Sequence, residues 1–82
     1  MSKNKKLITR FKTRPKDFAW DELTSMLNYL GFVTIQGSGS RVKFYHDKHD
    51  CLIYLHKPHP SKVLKEYMVK AILSTLEQRG LI

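Results

Sequence analysis

The spacing of apolar residues predicts two helices separated by a group of short strands. Between residues 20 and 30, apolar side chains recur every three or four positions, which is the period of a helix that buries one stripe. The stripe consists of Trp20, Leu23, Leu27 and Leu30. Gly31 follows and suits the left-handed conformation that often ends a helix. We therefore predict a first helix from Trp20 to Leu30, with its stripe in the core.

A second helix is predicted near the end of the chain, from Lys65 to Arg79, with Gly80 as its stop. The same periodicity indicates which of its residues face the core. The expected buried residues are Leu64, Met68, Ala71, Ile72, Thr75 and Leu76.

Three strands are predicted between the helices: Phe32–Gln36, Arg41–His46 and Cys51–His56. In the third strand, Leu52, Tyr54 and His56 should lie on one face, and Cys51, Ile53 and Leu55 on the other. Short turns join the strands, so they should form an antiparallel meander. One face of so small a sheet supplies the core, and both helices should cover it. The predicted fold class is α+β, with the order α-β-β-β-α.

Length and charge narrow the class of partner. The chain has 82 residues, enough for one domain, and carries 15 Lys and Arg against 7 Asp and Glu, a net charge of +8. So basic a chain favours a polyanion: nucleic acid first, then an anionic membrane or an acidic protein. The apolar runs are too short for a membrane span, and we find no signal peptide. The single cysteine, Cys51, excludes an intrachain disulfide, and a cytoplasmic protein is expected.

Residues 1–16 form a basic lead-in to the predicted domain of residues 17–82. The lead-in holds seven cations and no acid, and Leu7, Ile8 and Phe11 give a faint apolar pattern that Pro15 breaks. One interpretation is a solvated segment, or a short lead-in packed by Phe11. The other is an arm that follows a phosphate backbone and adds affinity without sequence choice.

The turn between the first two strands is a candidate site for a phosphodiester. Its residues are Gly37, Ser38, Gly39 and Ser40, followed by Arg41-Val42-Lys43-Phe44. The glycines permit a tight turn, the hydroxyls can bond a phosphate, and the two cations fall on one strand face. Ser38, Arg41 and Lys43 are therefore candidate RNA-binding residues. The alternative is an ordinary glycine-serine turn.

A second candidate site follows the third strand, in His56-Lys57-Pro58-His59-Pro60. Histidine can act as a general acid or base near neutral pH, so His56 and His59 could serve in RNA cleavage while a nearby cation stabilises the phosphorane. The alternative is structural, with the prolines fixing the backbone. Lys57 lies within this segment, and Lys62, Lys65 and Lys70 follow it. They could face a phosphate chain or form an ordinary solvated surface.

Other chemistry has less support in the sequence. His46 and His49 lie near Asp47, Asp50 and Cys51, but a second pair of ligands at metal-binding spacing is missing, so the segment is expected to be a polar hairpin tip. We predict no metal and no small-molecule cofactor. Neither a dinucleotide-binding loop nor a Walker loop is present, so kinase and oxidoreductase functions have no support.

These motifs together resemble the HicA family of toxin-antitoxin systems, also called the YcfA-like family, and its longer members most. Four segments, which span roughly residues 18 to 78, contain the matching motifs. They are Trp20-Asp21-Glu22-Leu23, Leu30-Gly31-Phe32, the segment from Gly37 to Phe44, and Leu55-His56-Lys57-Pro58-His59-Pro60 with Leu64-Lys65. The resemblance implies a fold like that of a double-stranded RNA-binding domain. It also implies a metal-independent, ribosome-independent endoribonuclease that acts on mRNA and is neutralised by a HicB-type antitoxin.

The chain departs from the family at the turn. The family's catalytic histidine stands just after the Gly-Ser pair, whereas here Gly39-Ser40 has no histidine at that place and Ser40 is the closest match. A serine hydroxyl does not titrate near neutral pH, so it cannot replace imidazole as a base. His56 or His59 could do this work, the chain could bind RNA without cutting it, or Ser40, Arg41 and Lys43 could orient and strain the phosphodiester.

Three functional hypotheses follow from the sequence. The first is a toxin-type endoribonuclease with candidate catalytic residues His56, His59 and Ser40. The second is a non-catalytic RNA-binding module, and the third is a basic protein-interaction domain that docks an acidic partner.

Overall fold

The computed structural model describes residues 3–59 and 61–82 of the chain. Three helices and one three-stranded antiparallel sheet make up an α+β fold, as predicted. In chain order the elements are α1 (Lys3–Lys12), α2 (Trp20–Leu30), β1 (Val33–Gln36), β2 (Arg41–His46), β3 (Cys51–His56) and α3 (Glu66–Gln78).

Helix α1 is the element that the sequence analysis did not predict as a helix. It contacts both α2 and α3, and its residues Leu7 and Phe11 are buried in the core. Because these two side chains are four residues apart, one helical face carries both of them inward. The helix ends just before Arg14, which has a φ of 55°, and Pro15 follows. The predicted contact of Phe11 is therefore present, within a helix.

Helix α2 has the predicted bounds and ends in a tight cap. Gly31 has a φ of 108°, and its N–H donates to the carbonyl oxygen of Asn28 at 3.2 Å. The N–H of Phe32 donates to the carbonyl oxygen of Leu27 at 2.9 Å. Since this bond belongs to the cap of α2, Phe32 is not part of β1, which begins one residue later than predicted.

The sheet is a meander in the order β1-β2-β3, and only one of its faces is covered. Cross-strand pairs such as Phe44 with Ile53 lie on the covered face. The alternating residues of β2 and β3 face outward and are mostly exposed. The buried strand residues are Val42, Phe44, His46, Cys51 and Ile53, and they form one core with the apolar residues of all three helices. The prediction that the helices share one sheet face is confirmed.

Helix α3 is rotated relative to the prediction. Met68, Ile72 and Leu76 are buried as expected, and so is Leu64 just before the helix. The prediction was wrong for Ala71, which is exposed, and Thr75 is only half-buried. Val69 and Leu73 are buried in their place. The buried stripe of α3 therefore extends toward Val69 and Leu73, and α1 also contacts this helix.

His46 is the last residue of β2, as the predicted strand has it, and it is a buried core residue and not part of the polar hairpin tip. Its Nδ1 accepts the N–H of His49 at 3.3 Å, which requires the proton to be on Nε2. Nε2 then donates to the carbonyl oxygen of Leu30 at 2.9 Å, where α2 ends. The ring also packs edge-on against Phe32, with centroids 5.2 Å apart. His46 thus joins the end of α2 to the sheet.

Substituting Gly31 tests this junction. A Cβ at Gly31 would lie 2.7 Å from Nε2 of His46, and the φ of 108° strains any L side chain. We expect Gly31→Ala to lower the free energy of unfolding by about 3 kcal/mol, because strain and overpacking act together. Urea unfolding would measure it.

Gly80 is the matched control, since it also follows a helix with positive φ but has no atom within 4 Å of where a Cβ would stand. Gly80→Ala should cost only about 1 kcal/mol, from backbone strain alone. Equal losses in the two variants would contradict the role given to His46.

Arg10 attaches α1 to the start of α2. Its guanidinium donates to Oε2 of Glu22 at 2.7 Å and to Oδ1 of Asp17 at 2.8 Å, and it lies 5.1 Å from the ring centroid of Phe18. Oε1 of Glu22 accepts the N–H of Ala19 at 2.9 Å, at the N-terminus of α2. The Ala19 N–H, and then Arg10, lower the pKa of Glu22 below its ordinary value of 4.5.

This lowered pKa makes the fold sensitive to acid. A carboxyl with a depressed pKa in the folded state stabilises the protein above its unfolded pKa, and the contribution is lost as the pH falls through the folded pKa. We expect Glu22→Gln to be less stable than the wild type at pH 6 and to lose less stability between pH 6 and pH 3. Because Glu22 is about one-third exposed, the difference should not exceed about 1 kcal/mol.

Glu77→Gln, at an exposed site on α3, is the control for this experiment. Thermal unfolding at both pH values would measure each variant. A Glu22→Gln variant with the acid sensitivity of the wild type would show that this carboxyl does not contribute.

Candidate functional site

The turn between β1 and β2 is closed by its own backbone. The N–H of Gly37 donates to the carbonyl oxygen of Arg41 at 2.8 Å, and the N–H of Arg41 donates to that of Ser38 at 3.2 Å. A Cβ on Gly37 would lie 3.1 Å from atoms of Arg41, so the small residue permits this close approach. Gly39 has a φ of 61°. The turn therefore holds its two serines at one end of the sheet, fully exposed.

The same end of the sheet receives the segment that follows β3. Arg41 pairs with His56 in the antiparallel register, and the N–H of Lys57 donates to the carbonyl oxygen of Ser40 at 2.8 Å. Oγ of Ser40 lies 3.4 Å from Nδ1 of His56, at the long end of the hydrogen-bonding range. The structure thus places His56 beside the glycine-serine turn, although His56 and Ser40 are 16 positions apart in the sequence.

The chain after the His-Pro motif is fixed to the start of α2. The N–H of Trp20 donates to the carbonyl oxygen of Lys62 at 2.7 Å, and the N–H of Leu64 donates to that of Phe18 at 2.8 Å. Ala19 and Val63 form an isolated antiparallel bridge between these bonds. This short ladder holds Lys62 close to the sheet end, so that it can share a surface with the turn.

Two open grooves at this sheet end contain most of the candidate residues. The first has a volume of about 610 Å³ and is lined by Gly37, Ser38, Arg41, Val42, Lys43, Tyr54, Leu55 and His56. The second, of about 480 Å³, is lined by Gly39, Ser40, Lys57, Pro58, His59 and Lys62. The contact between Ser40 and His56 joins the two grooves. Lys65 lines neither groove; it is the residue before the first turn of α3.

Tyr54 is a groove residue that the sequence analysis placed on a strand face but did not select. Its side chain faces outward beside that of Lys43, its partner in the register, and Nζ of Lys43 is 5.6 Å from the ring centroid. The signal was present in the sequence, because Tyr54 is two residues from His56 and strand residues with that spacing share a face.

His46 and His49 lie at the opposite end of β2 and β3 from His56. His46 pairs with Cys51, whereas His56 pairs with Arg41, so about 17 Å of strand separates the two histidine sites. Both ring nitrogens of His46 bond to backbone groups, which leaves neither free for a metal. Within residues 3–59 and 61–82, no three His, Cys, Asp or Glu side chains gather as a possible metal site.

Comparison with known protein families identifies the chain. The family model described as the HicA toxin of bacterial toxin-antitoxin systems matches residues 20–81, which contain α2, the whole sheet and α3. The chain belongs to the HicA toxin family. Searches of curated proteins and of solved structures each gave no significant match. Helix α1 lies outside the matched region.

The HicA assignment makes the position after Gly39-Ser40 important, because the resemblance places the family's catalytic histidine there. Ser40, the closest match to that position, is followed directly by Arg41 in this chain. The neighbour of Arg41 across the register is His56, and the side chains of directly opposed residues lie on the same sheet face. An imidazole is therefore present on the adjacent strand, next to the place where the family has one. None of the helices in the described residues is both long and apolar enough to cross a membrane.

Proposed function

We propose that this HicA protein is the toxin of a type II toxin-antitoxin system and cleaves mRNA as a ribosome-independent endoribonuclease in the cytoplasm. The contact of Ser40 with His56, beside Arg41 and Lys43, is the observation that supports this proposal. It brings a candidate base and two cations into one open groove. The net charge of +8 suits a polyanionic substrate.

His56 is the proposed general base. In the neutral tautomer with the proton on Nδ1, His56 donates a hydrogen bond from Nδ1 to Oγ of Ser40. The lone pair of Nε2 is then free to take the proton of a ribose 2′-hydroxyl. The 2′-oxygen then attacks the adjacent phosphorus, and the bond from phosphorus to the 5′-oxygen breaks. The products are a 2′,3′-cyclic phosphate and a 5′-hydroxyl. Ser40 has a positioning role in this scheme, since it holds the imidazole.

The charge that develops on the phosphorane has two cationic neighbours, Arg41 and Lys43, which lie on the same face of the sheet as His56. Fixed cations in an open groove stabilise such a charge when it forms. His59, in the adjoining groove with Lys57 and Lys62, is the proposed acid that protonates the leaving 5′-oxygen. Ser38 and Lys65 are proposed to bind RNA phosphates around this centre. The scheme uses protein side chains alone and calls for no cofactor.

The family implies a partner for the toxin, and we propose a HicB-type antitoxin. The grooves lie at an open sheet end, where all the candidate side chains can be reached from outside. An antitoxin that covers this end would block access of mRNA to His56. Such a partner would need acidic groups to match the basic surface.

A non-catalytic RNA-binding module is the second candidate, and Arg41 is the residue that favours it. An arginine cannot act as a base, so a chain with Arg41 after Gly39-Ser40 could keep affinity for RNA and lose cleavage. A basic domain that docks an acidic protein is the third candidate. It would show little affinity for RNA at physiological salt.

Cleavage of a long RNA by the purified protein in the presence of EDTA distinguishes these candidates. We expect the wild type to cut, and His56→Ala to lose at least about 100-fold in rate, the usual contribution of a positioned base. Ser40→Ala should lose less, because it removes only the positioning contact. His59→Ala should slow the step at which the leaving group departs. The antitoxin encoded next to the toxin should stop cleavage when added.

His49→Ala is the matched control, since His49 is exposed but lies at the far end of the sheet. It should cleave like the wild type. Folded wild-type protein that binds RNA without cutting it would favour the binding module. Full activity in His56→Ala would show that the base is another residue.

A further inference from the structure

The open face of the sheet is apolar at one end of the strands and becomes cationic toward the other end. Its residues fall into three cross-strand rows, in the order β1, β2, β3. The rows are Val33, Tyr45 and Leu52; then Ile35, Lys43 and Tyr54; then Arg41 and His56 at the end that carries the turn. The middle row thus places an aromatic ring one step away from the proposed catalytic end.

Tyr54 is the most exposed side chain among the large apolar residues of this face, at 67%. Residues two apart on a strand are about 7 Å apart, so the distance between Tyr54 and His56 is about the length of one nucleotide. Both residues line the same groove, together with Arg41 and Lys43. The backbone beneath the ring is fixed in the sheet, paired with β2.

We infer that Tyr54 is a stacking residue for an unpaired nucleobase and that it positions single-stranded RNA at the His56 groove. The inference rests on the proposed ribonuclease function and names the form of its substrate. A phenol ring held on a rigid strand gives a base a flat surface at little entropic cost. A nucleotide stacked there has Lys43, 5.6 Å from the ring centroid, and Arg41 within reach of its phosphates.

The geometry favours a single strand over a duplex. In a duplex both faces of each base are already stacked on neighbouring bases, so a ring on a sheet has no base face to bind. A short exposed sheet with an outward aromatic residue suits a strand whose bases are splayed apart.

The position of Tyr54 favours RNA over a protein partner. Two of the exposed aliphatic residues of this face, Val33 and Leu52, lie in the row farthest from the turn, and Ile35 lies at the β1 end of the middle row. Tyr54 lies instead in the row with Lys43 and beside the row with Arg41, in a chain with a net charge of +8. Alternating cations and an aromatic ring are the pattern that binds single strands without strong sequence choice.

Fluorescence anisotropy with a labelled, unstructured 2′-O-methyl RNA strand tests the inference, because this strand cannot be cleaved through a 2′-hydroxyl. We expect Tyr54→Ala to weaken binding by about five- to one-hundred-fold, the usual effect of losing one stacking partner. The slope of affinity against salt should stay the same, since no charge is removed. Tyr54→Phe should bind like the wild type, because it keeps the ring.

Tyr67→Ala is the matched control: Tyr67 is 68% exposed but lies on α3 and lines neither groove. It should bind like the wild type. A strand of the same length with abasic sites should bind the wild type and Tyr54→Ala equally. A perfectly paired duplex should show no effect of Tyr54→Ala. Because Tyr54 is exposed, circular dichroism should show each variant folded.

Several results would overturn the inference. These are wild-type affinity in Tyr54→Ala, an equal loss in Tyr67→Ala, a loss in Tyr54→Phe, or equal binding of abasic and normal strands by the wild type. Absence of RNA binding with retained antitoxin binding would assign the face to a protein partner. If Tyr54→Ala weakens binding while the wild type cuts no RNA, the stacking site stands and the ribonuclease proposal fails. If the wild type cuts RNA and Tyr54→Ala binds and cuts equally well, the ribonuclease proposal stands and the stacking inference fails.

Discussion

The three helices cover the sheet on one face only, and the placement of the candidate functional side chains on β2 and β3 follows from that constraint. Alternate residues of a strand point to opposite faces, so each inward core residue of β2 and β3 is followed by an outward one. Val42 and Phe44 build the core, while Arg41 and Lys43 between them are presented to solvent. The apolar side chains that stabilise the fold thereby fix the positions of the cationic side chains on the outward face of the sheet.

The register also brings together segments that are distant in sequence. A slip of one residue between β2 and β3 would separate Arg41 from His56. It would also turn core residues outward, and the free energy lost by exposing the buried pairs opposes such a slip. The bond from the Lys57 N–H to the Ser40 carbonyl oxygen adds a second restraint at the same place. The site depends on the core for its geometry, and the core residue Val42 itself lines the first groove.

The sequence allowed the strands and α2 to be predicted closely, because their patterns are regular and glycines mark their ends. Helix α1 was not predicted, since only Leu7 and Phe11 are buried and basic residues surround them. The face of α3 was partly misjudged, since Met68, Ile72 and Leu76 are buried as predicted but the burial of Val69 and Leu73 was missed. The contact of Ser40 with His56 needed the cross-strand register, which residue spacing alone does not give. Tyr54 went unselected although its spacing of two residues from His56 placed both side chains on one strand face.

The chemistry of the cut ends is the most direct test of the central claim that His56, beside the Ser40 turn, activates a ribose 2′-hydroxyl. Mass spectrometry of the fragments made from a short RNA would identify both ends of the break. The account predicts a 2′,3′-cyclic phosphate and a 5′-hydroxyl, and no cut where the preceding nucleotide is 2′-deoxy. Fragments with a 5′-phosphate and a 3′-hydroxyl would contradict it, because water and not the 2′-oxygen would then be the nucleophile.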